Sequence, residues 1–442
     1  MHLPYKTAPS EVHATLKKSM LIDGFDVVFD IQKSQGPWLH DARSGTDFLD
    51  LFSFFASLPV SYDHPGMGDP AYLEKLHAAA TYKPTNSDLY TEAMADFVST
   101  FRGILPAGFE HLFFVEGGAL AVENALKAAF DWKVRKNIAR GRSETLGSQI
   151  LHFKDAFHGR SGYTLSLTNT FDPRKTQYFP KFPWPRVPAP GLRFPVDAAE
   201  QERVATQEQI SLSAIKEAVQ KNPHDIAAII IETIQGEGGD VHFRTEFLQA
   251  LRDLCDSEEI MLIFDEVQAG MGLTGRWWAF ENHGVSPDLF SFGKKTQVCG
   301  FASTGRIDEI DGVFKVPSRI NSTWGGGLVD MVRCERYIQV IHEGHLLKNA
   351  VDVGNYARAG LRGLSEQGLP ISNVRGRGLM CAFDLPTPEM RDQVRRHLYQ
   401  HGKTIMLACG SRSVRFRPVL DFRNEWVDVA VERIANSVKA CS

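Results

Sequence analysis

The stretch Asp225–Asp240, DIAAIIIETIQGEGGD, decides how the chain reads. It opens on a run of isoleucine and alanine with no polar alternation. A run of that kind suits a strand buried on both faces, as in parallel sheets covered by helices. The run ends in Glu232 and passes into a glycine-rich loop that holds Glu237. The pattern recurs on both sides. HLFFV (111–115) precedes a glycine pair and ALAVENALKAAFDWKVRKN, where Leu120, Leu126, Phe130 and Val134 recur at near-helical spacing. QILHF (149–153) runs into KDAFHGRSGYT, and TEFLQALRDLCDSEE (245–259) reads as a helix capped by Thr245. IMLIFDEVQAGMG (260–272) and DLFSFGKK (288–295) add two more buried runs.

Short apolar strands separated by helices predict an α/β fold with a mainly parallel sheet. Ligands in such sheets sit beyond the carboxyl ends of the strands. The polar residues that follow each run are therefore the candidate site: 117–119, 157–160, 232–237, 265–268 and Lys294. From about Gly327 the pattern changes to a long helical stretch, short strands and a last helix, which reads as a smaller α+β domain. The expected division is an N-terminal arm over 1–60 that contributes to the small domain, a large domain over 61–326, and the small domain over 327–442. DARSGTD (41–47) carries hairpin turn chemistry, and the proline-rich stretch 178–195 reads as a surface loop.

Bulk properties narrow the function. A chain of 442 residues exceeds one small core. A hydrophobic share of 43%, a charged share of 23% and a net charge of −4 are ordinary for soluble protein, and no basic block points to nucleic acid or a membrane surface. No apolar run reaches the ~20 residues that span a bilayer. The first residues lack a signal-peptide pattern. Six scattered cysteines without C-x-x-C read as free thiols in a reducing cytoplasm, and fifteen histidines without H-E-x-x-H predict no metal site.

Three positions carry chemistry. Gly117, Gly118 and Ala119 open a helix, and free N–H groups at a helix start bind anions such as phosphate; a plain helix start has the same sequence. Asp265 ends an apolar strand, where a carboxylate either pairs with a protonated ring nitrogen or caps a neighbouring helix. Gln268 is placed to donate to a ring oxygen. Lys294 ends another strand after a glycine. Partial desolvation would make its amine a nucleophile for carbonyls, although strands often end in lysine. Phosphate cradle, carboxylate and lysine at one sheet edge together specify pyridoxal 5′-phosphate, held as a Schiff base. Lys295 is expected to point the opposite way and to be structural.

Over nearly its whole length the chain resembles the class III pyridoxal-phosphate aminotransferases of fold type I, in particular those acting on the ε-amine of lysine. The resemblance is carried by FVEGGALAVENALKAAFDW, AFHGRSGYTLSLTNT, IQGEGGDVHFR, LIFDEVQAGMGLTG, FGKKTQVCG, STWGGGLVDMVR, RGRGLMCAF and VRFRP. It implies a seven-stranded large-domain sheet and a homodimer. It also implies transfer of the lysine ε-amino group to 2-oxoglutarate, giving 2-aminoadipate 6-semialdehyde and glutamate. By resemblance, Lys294 is the Schiff-base lysine and proton carrier, and Asp265 the partner of the pyridine nitrogen. Gln268 would meet the phenolic oxygen, Gly118 and Ala119 the phosphate, and Phe157 the cofactor ring. Thr323 would meet the phosphate of the other subunit. Arg160 would receive a substrate carboxylate, Arg415 the α-carboxylate of 2-oxoglutarate or glutamate, and Glu237 would pair with Arg415 when lysine is bound. Glu232 has a supporting role, and His158 is taken as structural. The sequence departs from the family pattern at Thr233, Ala269, Met271 and Gly327, which the reading sets near the cofactor or the dimer seam.

Overall fold

The computed structural model describes residues 6–442, so the first five residues of the expected arm lie outside the described residues. The arm forms a hairpin of β1 (Trp38–His40) and β2 (Asp47–Asp50) around the predicted turn. The large sheet follows as β3 (Phe109–Val115), β4 (Gln149–Phe153), β5 (Arg186–Val187) and β6 (Ile226–Glu232). A small ribbon of β7 (Ile234–Gln235) and β8 (Val241–His242) interrupts it before β9 (Met261–Asp265), β10 (Leu289–Phe292) and β11 (Cys299–Thr304). The seven strands lie in the order β3-β11-β10-β9-β6-β4-β5. All pair in parallel from β10 through β5, while β11 runs antiparallel to both its neighbours. All seven residues of β6 are buried, which is why the opening stretch lacks polar alternation.

The helix Gly118–Ala139 crosses one face of this sheet, against β6, β10 and β11. Its buried side differs from the expected one. Leu126 is fully buried, but Leu120 is 41% exposed and Phe130 and Val134 are half-buried. Alanines 121, 125, 128 and 129 face the sheet instead, beside Trp132. Small side chains let the helix axis approach the strands, so the large residues are left at its margins. The opposite face packs against an aromatic core of Phe97, Phe101, Trp278 and Phe292.

Three further expectations are corrected. The helix Thr245–Ser257 has Arg244 at its N-cap with no side-chain capping bond; Thr245 is its first residue and turns its hydroxyl to His283 Nδ1 at 3.0 Å. The proline-rich stretch is not all loop, since β5 pairs with β4 between Pro185 and Pro188. Flanking prolines are tolerated there because β5 is the sheet edge. The long C-terminal helical stretch breaks at Gly344 and His345, the latter left-handed at φ 51°, into Leu328–Glu343 and Leu346–Glu366. The first of these packs on the helices Pro70–Thr81 and Glu92–Arg102.

The remaining strands are β12 (Ser372–Arg377), β13 (Met380–Asp384), β14 (Thr404–Ile405), β15 (Leu407–Cys409) and β16 (Ser413–Phe416). They build an antiparallel sheet β12-β13-β16-β15, while β14 adds to β2 in parallel. The N-terminal hairpin and the C-terminal segment thus share one small sheet. Just after β2, Ser53, Phe54, Phe55 and Ala56 all take left-handed φ values, 41°, 53°, 60° and 67°. A left-handed turn costs L-residues roughly 1–2 kcal/mol each. A local carboxylate and a distant carbonyl hold this one. Asp50 Oδ1 accepts from the Phe52 and Ser53 N–H groups at 2.8 Å, and the Ser53 hydroxyl donates to the Arg417 carbonyl at 2.7 Å.

Candidate active site

The carboxyl ends of β3, β4, β6, β9 and β10 meet around a cavity of about 300 Å³ whose walls include Gly118, Ala119, Phe157, Asp265, Gln268 and Lys294. A larger cavity of about 660 Å³ lies elsewhere, between Leu212 and Leu254, and gathers none of these residues. The helix start is open by composition. Gly117 is its N-cap at φ 97°, and a Cβ on Gly118 would stand 2.9 Å from Val267 Cγ1. A Cβ on Gly159 would stand 2.6 Å from Ala119 Cβ. Larger residues at these points would fill the space in front of the free N–H groups.

Asp265 is buried at the end of β9 and is held by three donors. His158 Nδ1 donates to its Oδ2 at 2.7 Å; Ser291 Oγ and the Val267 N–H donate to Oδ1, both at 3.0 Å. His158 therefore does more than pack, because it orients the carboxylate. The sequence marked it only by its place beside Phe157. Glu232, buried, accepts from the Phe157 and Gly236 N–H groups at 3.0 and 2.9 Å. Burial pushes its carboxyl up to about 7, opposed by His158. It ties two loops of the cavity together.

Lys294 and Lys295 lie in a single tight turn, with Lys294 left-handed at φ 54°. Lys294 reaches the cavity, 6.0 Å from the centre of the Phe55 ring. Burial and then the charge of Arg415 hold its amine below the ordinary lysine range, which favours the nucleophilic free base. Lys295 turns away and is 1% exposed; it donates to the Ala56 carbonyl at 2.8 Å. Gln297 adds a bond to the Ser57 carbonyl at 2.9 Å. Burial pushes the Lys295 amine down to about 7. Lys295→Ala is expected to leave a void and an unpaired carbonyl under the left-handed turn, costing about 2–4 kcal/mol. A lower midpoint of thermal unfolding, with the cofactor still attached, is the measurement that checks this.

Arg415, on β16, is almost fully buried. Its Nη2 donates to Glu237 Oε2 at 2.8 Å and its Nη1 to Gln268 Oε1 at 3.3 Å, while its Nε has no partner. Glu237 lies in the turn between β7 and β8 and is held below the ordinary carboxylate range; Arg415 and Lys175 overcome the effect of burial. Lys175 contacts the other Glu237 oxygen, a pairing that the sequence reading missed. Arg160 is exposed at the cavity wall, and no ion pair to it exists among the described residues. Thr323 stands apart, exposed on the glycine-rich loop before the helix Leu328–Glu343, where its carbonyl accepts from Ser87 Oγ at 3.3 Å.

The four departures from the family pattern do not line the cavity. Thr233 lies beneath it, its hydroxyl donating to Glu266 Oε1 at 2.6 Å. Ala269 and Met271 belong to the main core, and Gly327 is the N-cap of the helix Leu328–Glu343.

This arrangement fits pyridoxal phosphate. Free N–H groups at one end could hold an anion, a buried carboxylate at the other could hold a protonated ring nitrogen, and an amine of lowered pKa reaches the same cavity. Comparison with known proteins agrees. The family described as "Aminotransferase class-III" matches residues 23–438. The chain is 50% identical to an L-lysine-epsilon aminotransferase of Mycobacterium tuberculosis over 438 residues, 98% of this chain and 96% of that protein. A namesake from Amycolatopsis lactamdurans is 50% identical over 434 residues, covering 97% of this chain and 95% of that one. The solved structure of lysine aminotransferase from M. tuberculosis in the internal aldimine form superposes with a TM-score of 0.96 at 50% identity, covering 99% of this chain and all of that one. With its fold and nearly its full length matched, the chain belongs to the class III aminotransferases.

Proposed function

We propose that the protein transfers the ε-amino group of L-lysine to 2-oxoglutarate, giving 2-aminoadipate 6-semialdehyde and L-glutamate. The observation that carries this reading is the Glu237–Arg415 pair next to the cavity, where Arg415 also bonds the wall residue Gln268, with Arg160 exposed at the wall itself. Lysine presents an ε-carbon with no carboxylate beside it, whereas glutamate presents an α-carbon that carries one. An arginine masked by a glutamate serves the first, and the same arginine unmasked serves the second. The names of the relatives at 50% identity support lysine as donor.

Pyridoxal 5′-phosphate is the cofactor, and when bound it supplies an electron sink for the carbon that loses a proton. The chain's residues do the rest. Gly118 and Ala119 offer N–H groups to the phosphate. Asp265 keeps a proton on the ring nitrogen, Gln268 donates to the phenolic oxygen, and Phe157 covers the ring. Lys294 anchors the cofactor and, once released, carries the proton on Nζ. Arg160 takes the α-carboxylate of lysine. Glu237 neutralises Arg415 in that half-reaction, and Arg415 binds the 2-oxoglutarate carboxylate in the other. The semialdehyde then cyclises, because its own α-amine lies within ring-closing reach.

Thr323 is assigned to the phosphate site of the other subunit of a homodimer. Its exposure on a loop away from its own cavity supports this. The division at 1–60, 61–326 and 327–442 is retained; the sheet that β2 shares with β14 supports the arm's place in the small domain, while the helix Leu328–Glu343 packs across the boundary on Pro70–Thr81 and Glu92–Arg102. A cytoplasmic setting is supported by six free cysteines, and no helix of the described residues is long and apolar enough to cross a membrane.

A donor panel tests the reading. With 2-oxoglutarate as acceptor and the semialdehyde trapped chemically, lysine is expected to exceed ornithine and 4-aminobutyrate in kcat/KM by about tenfold or more. Turnover of ornithine with no semialdehyde from lysine would overturn the assignment.

A further inference from the structure

Glu237 is held from two sides. Its Oε2 accepts from Arg415 Nη2 at 2.8 Å, and its Oε1 pairs with Lys175 Nζ. Lys175 comes from a different part of the chain, the short turn Pro173–Lys175 that follows the helix Gly162–Leu167. Its ammonium also lies 5.8 Å from the centre of the Phe157 ring, and its side chain is only 21% exposed. The nearby carboxylate of Asp172 is engaged by Arg174 through both oxygens, at 2.9 and 3.0 Å. Lys175 is thus committed to Glu237 at the edge of the cavity.

This matters when Arg415 has to be freed. A substrate carboxylate can take Arg415 only if Glu237 leaves it. A largely buried carboxylate that loses its cation bears a desolvation penalty without compensation. Lys175 removes that penalty by remaining on the other oxygen. We propose that Lys175 is a positioning residue for the Glu237 gate, holding the displaced carboxylate while Arg415 receives the carboxylate of 2-oxoglutarate or glutamate. This rests on the roles of Glu237 and Arg415 proposed above. Lys175 lowers the cost of opening the gate, so its effect belongs to the dicarboxylate half-reaction. Lysine binds with the gate closed and gains nothing from it.

The test uses the holoenzyme and glutarate, an unreactive five-carbon diacid, with binding measured by titration calorimetry. Lys175→Met is expected to weaken glutarate binding about tenfold, ~1.4 kcal/mol, and to raise the KM for 2-oxoglutarate in proportion while the KM for lysine stays within about twofold. Lys175→Arg should restore most of the affinity, since it keeps the charge. In a Glu237→Ala background, which has no gate to hold, Lys175→Met should change nothing. An equal loss in that background would overturn the proposal, because Lys175 would then be touching the diacid directly. Unchanged glutarate affinity in Lys175→Met, alongside severe loss in Arg415→Ala, would overturn it and leave the roles of Arg415 and Glu237 standing. Unchanged affinity in Arg415→Ala would overturn those roles and the proposal with them.

Discussion

Lys294→Ala is expected to abolish the visible absorption of lysine-linked cofactor and to lower turnover by about 10⁴-fold or more, since anchor and proton carrier are lost together. Neither Lys295 nor Lys175 is free to take over. Lys295 is spent on the Ala56 carbonyl, buried on the far side of the turn, and Lys175 is spent on Glu237. A small primary amine added to the assay should recover part of the rate, because the proton transfer needs a base and the cavity now has room for one. Absorption spectra and single-turnover rates of Lys294→Ala and Lys295→Ala side by side decide the matter. Equal loss in both would refute the assignment of Lys294.

Asp265→Asn is expected to lower kcat by about 10³-fold with the cofactor retained. An amide has no negative charge with which to hold a proton on the ring nitrogen, so the electron sink is weakened while the phosphate end and the lysine are untouched. The surroundings sharpen the expectation. All three groups around Asp265, His158 Nδ1, Ser291 Oγ and the Val267 N–H, act as donors to oxygen. An amide nitrogen would oppose the His158 donor unless that ring changes tautomer, so circular dichroism and a denaturation midpoint should accompany the kinetics. A folded, cofactor-loaded variant with near-normal kcat would remove Asp265 from the mechanism.

The parts of this architecture that could be read in the sequence share a physical cause. Strands buried on both faces exclude polar residues, so the ends of IAAIIIE, MLIFD and LFSF stand out, and with them Glu232, Asp265 and Lys294. The glycine pair was visible because only small residues keep a helix start open. The parts that could not be read depend on partners distant in the chain. Lys295 and Ala56 are 239 positions apart, so Lys295 could be read as structural while the carbonyl it holds could not. Lys175 sits in DPRKT, a segment with the composition of a solvated loop, and its role exists only because Glu237, 62 positions on, comes to meet it. The helix 118–139 misled for another reason. Periodicity weights large apolar residues, whereas the sheet selected alanines for close approach.

The left-handed turn at Ser53–Ala56 makes the site indivisible. The sidewall that Phe55 presents toward Lys294 exists only while Asp50 from the arm, Lys295 from the large sheet and the Arg417 carbonyl from the C-terminal strands all hold one backbone segment. A fragment limited to 61–326 would keep the lysine, the carboxylate and the glycine turn and still lack that wall. Limited proteolysis that removes the arm should therefore damage substrate handling before it dislodges the cofactor. Any attempt to transplant this chemistry onto a smaller scaffold would have to carry three separate pieces of the chain with it.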